Sequence, residues 1–166
     1  MSSSCKDKVT RWLRKFGIPD ERIRIATPDK ISSAPENIRG LLEHLIVVPY
    51  KVTFQSGREI TLEASLVCGD KWIQVKLLLM RGSEVPANLR EKLYALLLQA
   101  NFNLNEVTYS LSENGDVYVE TDMPSDTEYD NFQVEYGSVE FGAEYFLSQI
   151  IPALQQELQV KPTYEA

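Results

Sequence analysis

Histidine is almost absent: His44 is the only one in 166 residues. Cysteine is nearly as scarce. Cys5 and Cys68 lie far apart in the chain with no CxxC spacing, so neither a disulfide framework nor a zinc site is implied. No apolar run approaches the ~20 residues that span a bilayer. The start, MSSSCKDKVTRW, is polar and then amphipathic, unlike a signal peptide, so the expected location is cytoplasmic. The glycine-rich nucleotide loops GxGxxG and GxxxxGKS/T are missing. These absences leave no cofactor and no metal site to expect.

Basic residues are nearly missing from residues 101–166, where Lys161 stands against thirteen acids. Residues 1–30 carry a net +4, residues 31–100 a net +1, and residues 101–166 a net −12, within a total of −7. Two readings follow: the basic and acidic ends face each other, or the acidic surface receives a basic partner. Nucleic acid is not an expected partner, because phosphate contacts need clustered Lys and Arg.

What is present is a core. With 43% apolar residues, a chain of this length makes one domain that buries about 70% of its unfolded surface. Over Ser4–Phe16, residues Val9, Trp12, Leu13 and Phe16 fall on one helical face, with Ser4 and Asp7 in an N-cap arrangement and Gly17 and Pro19 as a stop. Residues 18–34 show no helical stripe and read as an irregular connection with a short edge strand at Arg22–Ala26. Residues 1–34 thus form a leading helix and connection, and residues 35–158 the core. Pro35 opens a short helix ending at His44. Three strands follow by alternation: from Tyr50, from Ile60 to Cys68, and around Ile73, Val75, Leu77 and Leu79. Ser56-Gly57 and Gly69-Asp70 are the turns. The reverse side of the third strand carries Trp72, Gln74, Lys76, Leu78 and Met80, unusually apolar for a solvated face.

Pro86 starts a helix in which Leu89, Leu93, Leu96, Leu97 and Ala100 make the stripe. Asn101, Asn103 and Asn105 suit a helix exit, since Asn tolerates left-handed backbone angles. Asn114-Gly115 between alternating runs is a strong hairpin signal. A long helix then carries Phe132, Tyr136, Val139, Ala143, Phe146, Ile150 and Leu154. Gly137 and Gly142 weaken it, and Pro152 should kink it or end its regular hydrogen bonding. The tail KPTYEA should fray. The class is α+β, a twisted antiparallel sheet of about five strands flanked by helices in the order α-α-β-β-β-α-β-β-α.

Chemistry is harder to find. His44 as a base with Cys68 as a nucleophile is conceivable, but Cys68 continues the apolar face that begins at Ile60, and a buried thiol is usually inert. The acids from Glu120 to Glu144 lack the DxDxDG spacing of a calcium loop and read first as a solvated face. Glu140 and Glu144 are like charges four apart, a cost that a cation of the first helix would relieve.

The stretch KWIQVKLLLM, the helix PANLREKLYALLLQANF, the hairpin VTYSLSENGDVYVETDMP and the closing YFLSQIIPAL together resemble the YbjN-like family, related in fold to the type III secretion chaperones. The resemblance spans roughly residues 45–158. It implies helices on a twisted antiparallel sheet, commonly a homodimer, whose exposed apolar surface holds an extended segment of a protein partner or client. It implies no catalytic residue. The residues themselves suggest Trp72, Leu78 and Met80 as apolar contacts and Trp12 and Phe16 as helix anchors. The resulting expectation is a non-enzymatic protein-interaction module, chaperone-like or regulatory. The alternatives are a peripheral binder of anionic membranes through the basic first helix, or a small-molecule enzyme acting through Glu120, Asp122 or His44.

Overall fold

Ser4 caps the first helix: its Oγ accepts a hydrogen bond from Asp7 N at 3.1 Å. The computed structural model describes residues 4–159, so the expected fraying of KPTYEA lies outside them. Helix α1 (Cys5–Lys15) stops at Gly17, as its spacing predicts. The connection is more structured than expected. After a 3₁₀ turn at Asp20–Arg22 come strand β1 (Arg24–Ile25) and helix α2 (Pro28–Ser33). Thr27 Oγ1 caps α2, but the helix buries no residue, and that is why no apolar periodicity announces it. Helix α3 (Glu36–His44) leads directly into β2 (Leu45–Thr53), which starts earlier than the alternation from Tyr50 suggests. Pro49 masks this start. It is tolerated because β1 pairs only with Ile46 and Val47, so position 49 has one strand neighbour instead of two.

Strands β3 (Glu59–Cys68) and β4 (Trp72–Met80) complete an antiparallel meander. A 3₁₀ turn at Ala87–Leu89 precedes α4 (Arg90–Asn103). The hairpin β5 (Thr108–Leu111) and β6 (Val117–Pro124) then inserts β6 beside β4, giving six antiparallel strands in the order β1-β2-β3-β4-β6-β5. The sixth strand is the two-residue β1. Helix α4 leaves through Leu104 in an extended conformation, and no non-glycine residue has positive φ among the described residues. The expected left-handed Asn exit is therefore not used. Asn101 works differently: its side-chain amide donates to Tyr109 O at 3.0 Å and accepts from Tyr109 N at 2.7 Å, so it stands in for a strand partner on the outer edge of β5.

Helix α5 (Tyr129–Tyr145) runs into a π-helical turn at Phe146–Ile150 and then α6 (Ile151–Gln159). Pro152 supplies the reason. It has no N–H to give back to the preceding turn and its ring crowds that turn's carbonyl, and a widened turn relieves both. The core lies between one sheet face and the helices. Rows such as Val48–Ala64–Leu77–Val119–Tyr109 cross the sheet on that face, every member nearly or fully buried. Val9 and Leu13 of α1 and Phe132, Tyr136, Val139, Ala143 and Phe146 of α5 and its extension pack on it. Burial raises the hydroxyl pKa of Tyr50, Tyr109 and Tyr136 above the usual tyrosine range.

Gly142 sets how closely α5 approaches. A Cβ there would lie 2.5 Å from Val119 Cγ2 and 3.0 Å from Val107 Cγ2, whereas one at Gly137 meets nothing within 4 Å. Gly142→Ala is thus expected to cost about 1–3 kcal/mol by overpacking. Gly137→Ala should instead gain about 0.5–1 kcal/mol from helix propensity. Denaturant midpoints of the two variants check this, and shifts of the same sign would contradict the packing described.

Candidate functional site

The sheet has one uncovered side among the described residues. Its rows are mixed: Arg24–Val47–Ser65–Lys76–Glu120–Thr108 is one, and Pro49–Glu63–Leu78–Tyr118–Ser110 the next. Cross-strand pairs Arg24–Glu63 (2.7 Å) and Lys76–Glu120 (3.1 Å) break up the apolar area.

The structure separates the residues that the sequence groups. Trp72 lies on the uncovered side beside Pro124 and is 51% exposed. Leu78 is six residues further along, about 20 Å away at the rise of a strand, half-buried beside Tyr118. Met80 is not on that side at all. A β-bulge at Leu79 shifts the register so that Met80 pairs with Val117, whose side chain is fully buried, and Met80 packs against the core. Strict alternation cannot foresee one inserted residue, which reverses the facing of everything beyond it.

Trp12 faces inward, whereas Phe16 keeps 40% of its surface exposed and rests only one side on the core. Trp12 packs on Phe132 and Tyr129, with ring centroids 5.0 and 6.2 Å apart, and Phe16 meets the edge of Tyr136 at 5.1 Å. With Val9 and Leu13 fully buried and Trp12 packed on α5, most of the apolar stripe of α1 is spent on the core, which leaves only Phe16 partly open to a bilayer. Two of its basic residues reach the acidic half through neutral groups: Lys8 Nζ donates to the carbonyls of Ser125 (2.6 Å) and Thr127 (3.2 Å), and Lys15 Nζ sits 3.7 Å from the Tyr129 ring centroid. The Glu140 and Glu144 pair is met by backbone N–H groups. Glu140 accepts from Thr53 N at 2.7 Å and Glu144 from Gln55 N at 3.1 Å, so both carboxylates pin the β2–β3 hairpin to α5.

The best-formed groove lies where β6 outruns β5. Pairing ends at Thr108 with Glu120, so Thr121–Pro124 have β4 on one side and no strand on the other. The bare edge opens into a cavity of about 620 Å³. The α4–β5 loop (Asn105, Glu106) forms one wall, and Val134, Glu135 and Ser138 of α5 form another. Four carboxylates line it: Glu106, Glu120, Asp122 and Glu135. Glu120 is held by Lys76 and by Ser110 Oγ (3.0 Å), and Glu135 accepts from Thr121 Oγ1 at 2.8 Å. Val134, 69% exposed, is its apolar spot. The acid run shows in the sequence, but the strand edge does not, because it depends on β5 being shorter than β6.

A second cavity of similar size joins the start of α1 to the β3–β4 turn and is lined by Cys5, Lys6, Lys8, His44, Cys68 and Asp70, among others. Here the two cysteines come together: both line the cavity, and each thiol is the largest influence on the other. Cys68 is buried as expected, at 2% exposure, and His44 is an exposed helix-end residue. Nothing in the spacing of positions 5 and 68 signals this meeting.

The placement of the two tryptophans is testable. Trp72→Ala should change stability by no more than about 0.5 kcal/mol, whereas Trp12→Ala should cost about 2 kcal/mol or more. Acrylamide should quench the fluorescence of Trp12→Phe protein strongly and that of Trp72→Phe protein weakly. Equal quenching in the two variants would contradict the assignment.

No family model matches the chain, and no curated protein matches it either. The YbjN-like resemblance therefore has no matching family behind it. Among solved structures, the chain is similar to the crystal structure of the ExsC–ExsE complex, with 11% identity, 89% of this chain and 96% of that chain covered, and a TM-score of 0.49. A likeness of that size brings no residue roles to this chain.

Proposed function

We propose that the chain is a protein-interaction module, chaperone-like or regulatory and without catalysis of its own, that takes an extended, basic segment of a partner protein. The bare edge of β6 inside an acidic groove carries this reading. An edge strand offers a row of backbone donors and acceptors, and a peptide that adds to it gains main-chain hydrogen bonds, while the walls select its side chains. Glu106 and Asp122 favour Lys or Arg, Val134 favours an intervening apolar residue, and Trp72 beside Pro124 flanks the lower end. Leu78 and Tyr118 extend the contact over the uncovered face. A reaction through Glu120 or Asp122 is less well supported: no cysteine, histidine or lysine lines the groove among the described residues, and no group of acids there has the arrangement of a metal site.

Panning a random peptide library on phage against the immobilised full-length chain tests this. Enriched peptides should alternate Lys or Arg with apolar residues. Fluorescence anisotropy should show their binding weakened about tenfold or more by Glu106→Lys with Asp122→Lys, a loss of roughly 1.4 kcal/mol, and weakened by added salt. Enriched peptides indifferent to both changes would refute the groove as the site.

A second partner surface is favoured by α3. Ile38 (38% exposed) and Leu41 (50%) lie on one side of a helix that buries none of its residues, which suits an isologous contact between two copies. Leu41→Glu should convert a dimer to monomer in sedimentation velocity. An unchanged sedimentation coefficient would remove α3 from the dimer contact.

A further inference from the structure

The meeting of Cys5 and Cys68 serves neither the groove nor the uncovered face. Cys5 is the first residue of α1, directly after the capping Ser4. The unpaired backbone N–H groups of a first turn favour an anion such as a thiolate. Cys68 ends β3 on the covered face, opposite Ile73. The two differ in access: Cys5 is half-buried at the cavity, and Cys68 is nearly sealed in the core. The surrounding titratable groups are Lys6, Lys8, Glu43, His44, Asp70 and Asp126. Lys6 Nζ donates to Glu43 O at 2.8 Å, and Lys8 is held by the two carbonyls already described, so both ammonium groups stay at the rim.

We propose that Cys5 and Cys68 form a thiol–disulfide exchange site for low-molecular-weight disulfides, with Cys5 the attacking thiol and Cys68 the resolving one. The Cys68 thiol beside it and, more weakly, the charge of Lys8 bring the Cys5 thiol down to about 7 against the effect of burial. The Cys5 thiol and burial push Cys68 upward. Attack therefore starts at the accessible sulfur. The Cys5 thiolate attacks one sulfur of oxidised glutathione, the Cys5–glutathione bond forms, and glutathione thiolate leaves and takes a proton from solvent. Cys68 then loses its proton to solvent and attacks the Cys5 sulfur. The Cys5–Cys68 bond forms and the second glutathione departs. Two protein thiols are oxidised, and one disulfide is reduced to two thiols. The product ties the first turn of α1 covalently to the end of β3.

The test treats the folded full chain with oxidised glutathione and follows intact mass and non-reducing peptide maps. The wild type should lose two hydrogens and yield a crosslinked Cys5–Cys68 peptide, reversible by dithiothreitol. Its rate should rise with pH and level off above about 7. Cys68→Ala should stop at a single glutathione adduct on Cys5, and Cys5→Ala should stay unmodified. A folded wild type that does not react, or that keeps a stable glutathione adduct without the internal bond, would overturn the proposal whatever the variants do.

Discussion

Helix α5 is seated on the sheet by contacts that reach both halves of the strand order, and the remaining architecture follows from that seating. Tyr50 in β2 donates its hydroxyl to Tyr136 O at 2.9 Å, and Tyr109 in β5 donates to Gly142 O at 2.7 Å. Two strands at opposite sides of the sheet thus hold one helix by its backbone. The missing side chain at Gly142 lets the helix lie against β6 at all. Because α5 already occupies the middle of the covered face, α1 is left the β2–β3 side and α4 the β5 edge, and all three share one core. The other face keeps its mixed polar and apolar rows at the surface.

The same seating shapes the groove. With α5 fixed beside β6, the free edge of Thr121–Pro124 is not simply open to water but forms the floor of a trough with a helical wall. Glu135 in that wall is oriented by Thr121 of the strand. Recognition by this trough would rest on main-chain pairing for affinity and on charge for choice of partner. The mixed rows of the uncovered face, with their cross-strand ion pairs, present no continuous apolar patch.

Most of the elements were legible because apolar periodicity and turn chemistry agree in them. Ser4, Gly17, the Asn114-Gly115 turn and the interruption at Pro152 all act as their residue types suggest. Where reading failed, the deciding contact lies far away in sequence. Pro49 fits inside β2 only because β1 is two residues long. Met80 changes sides because Leu79 is an extra residue against β6. Asn101 is a clamp because Tyr109 is brought beside it. Glu140 and Glu144 found backbone N–H groups of a hairpin rather than lysines. The two cysteines meet only because α1 crosses the end of β3. Short exposed pieces such as α2 left no trace in the pattern, since they bury nothing.

The sheet's edges differ in a way that bears on how copies of the chain behave at high concentration. On one side β1 is too short to template growth, and the exposed remainder of β2 carries Pro49 and surrenders the Thr53 N–H to Glu140. On the other side Asn101 occupies the backbone of β5. The bare stretch of β6 is walled with carboxylates, so a second copy offering its own acidic half meets like charge before it can pair. Fibre-like stacking is thereby discouraged through repulsion, while the same stretch stays open to a chain of opposite charge.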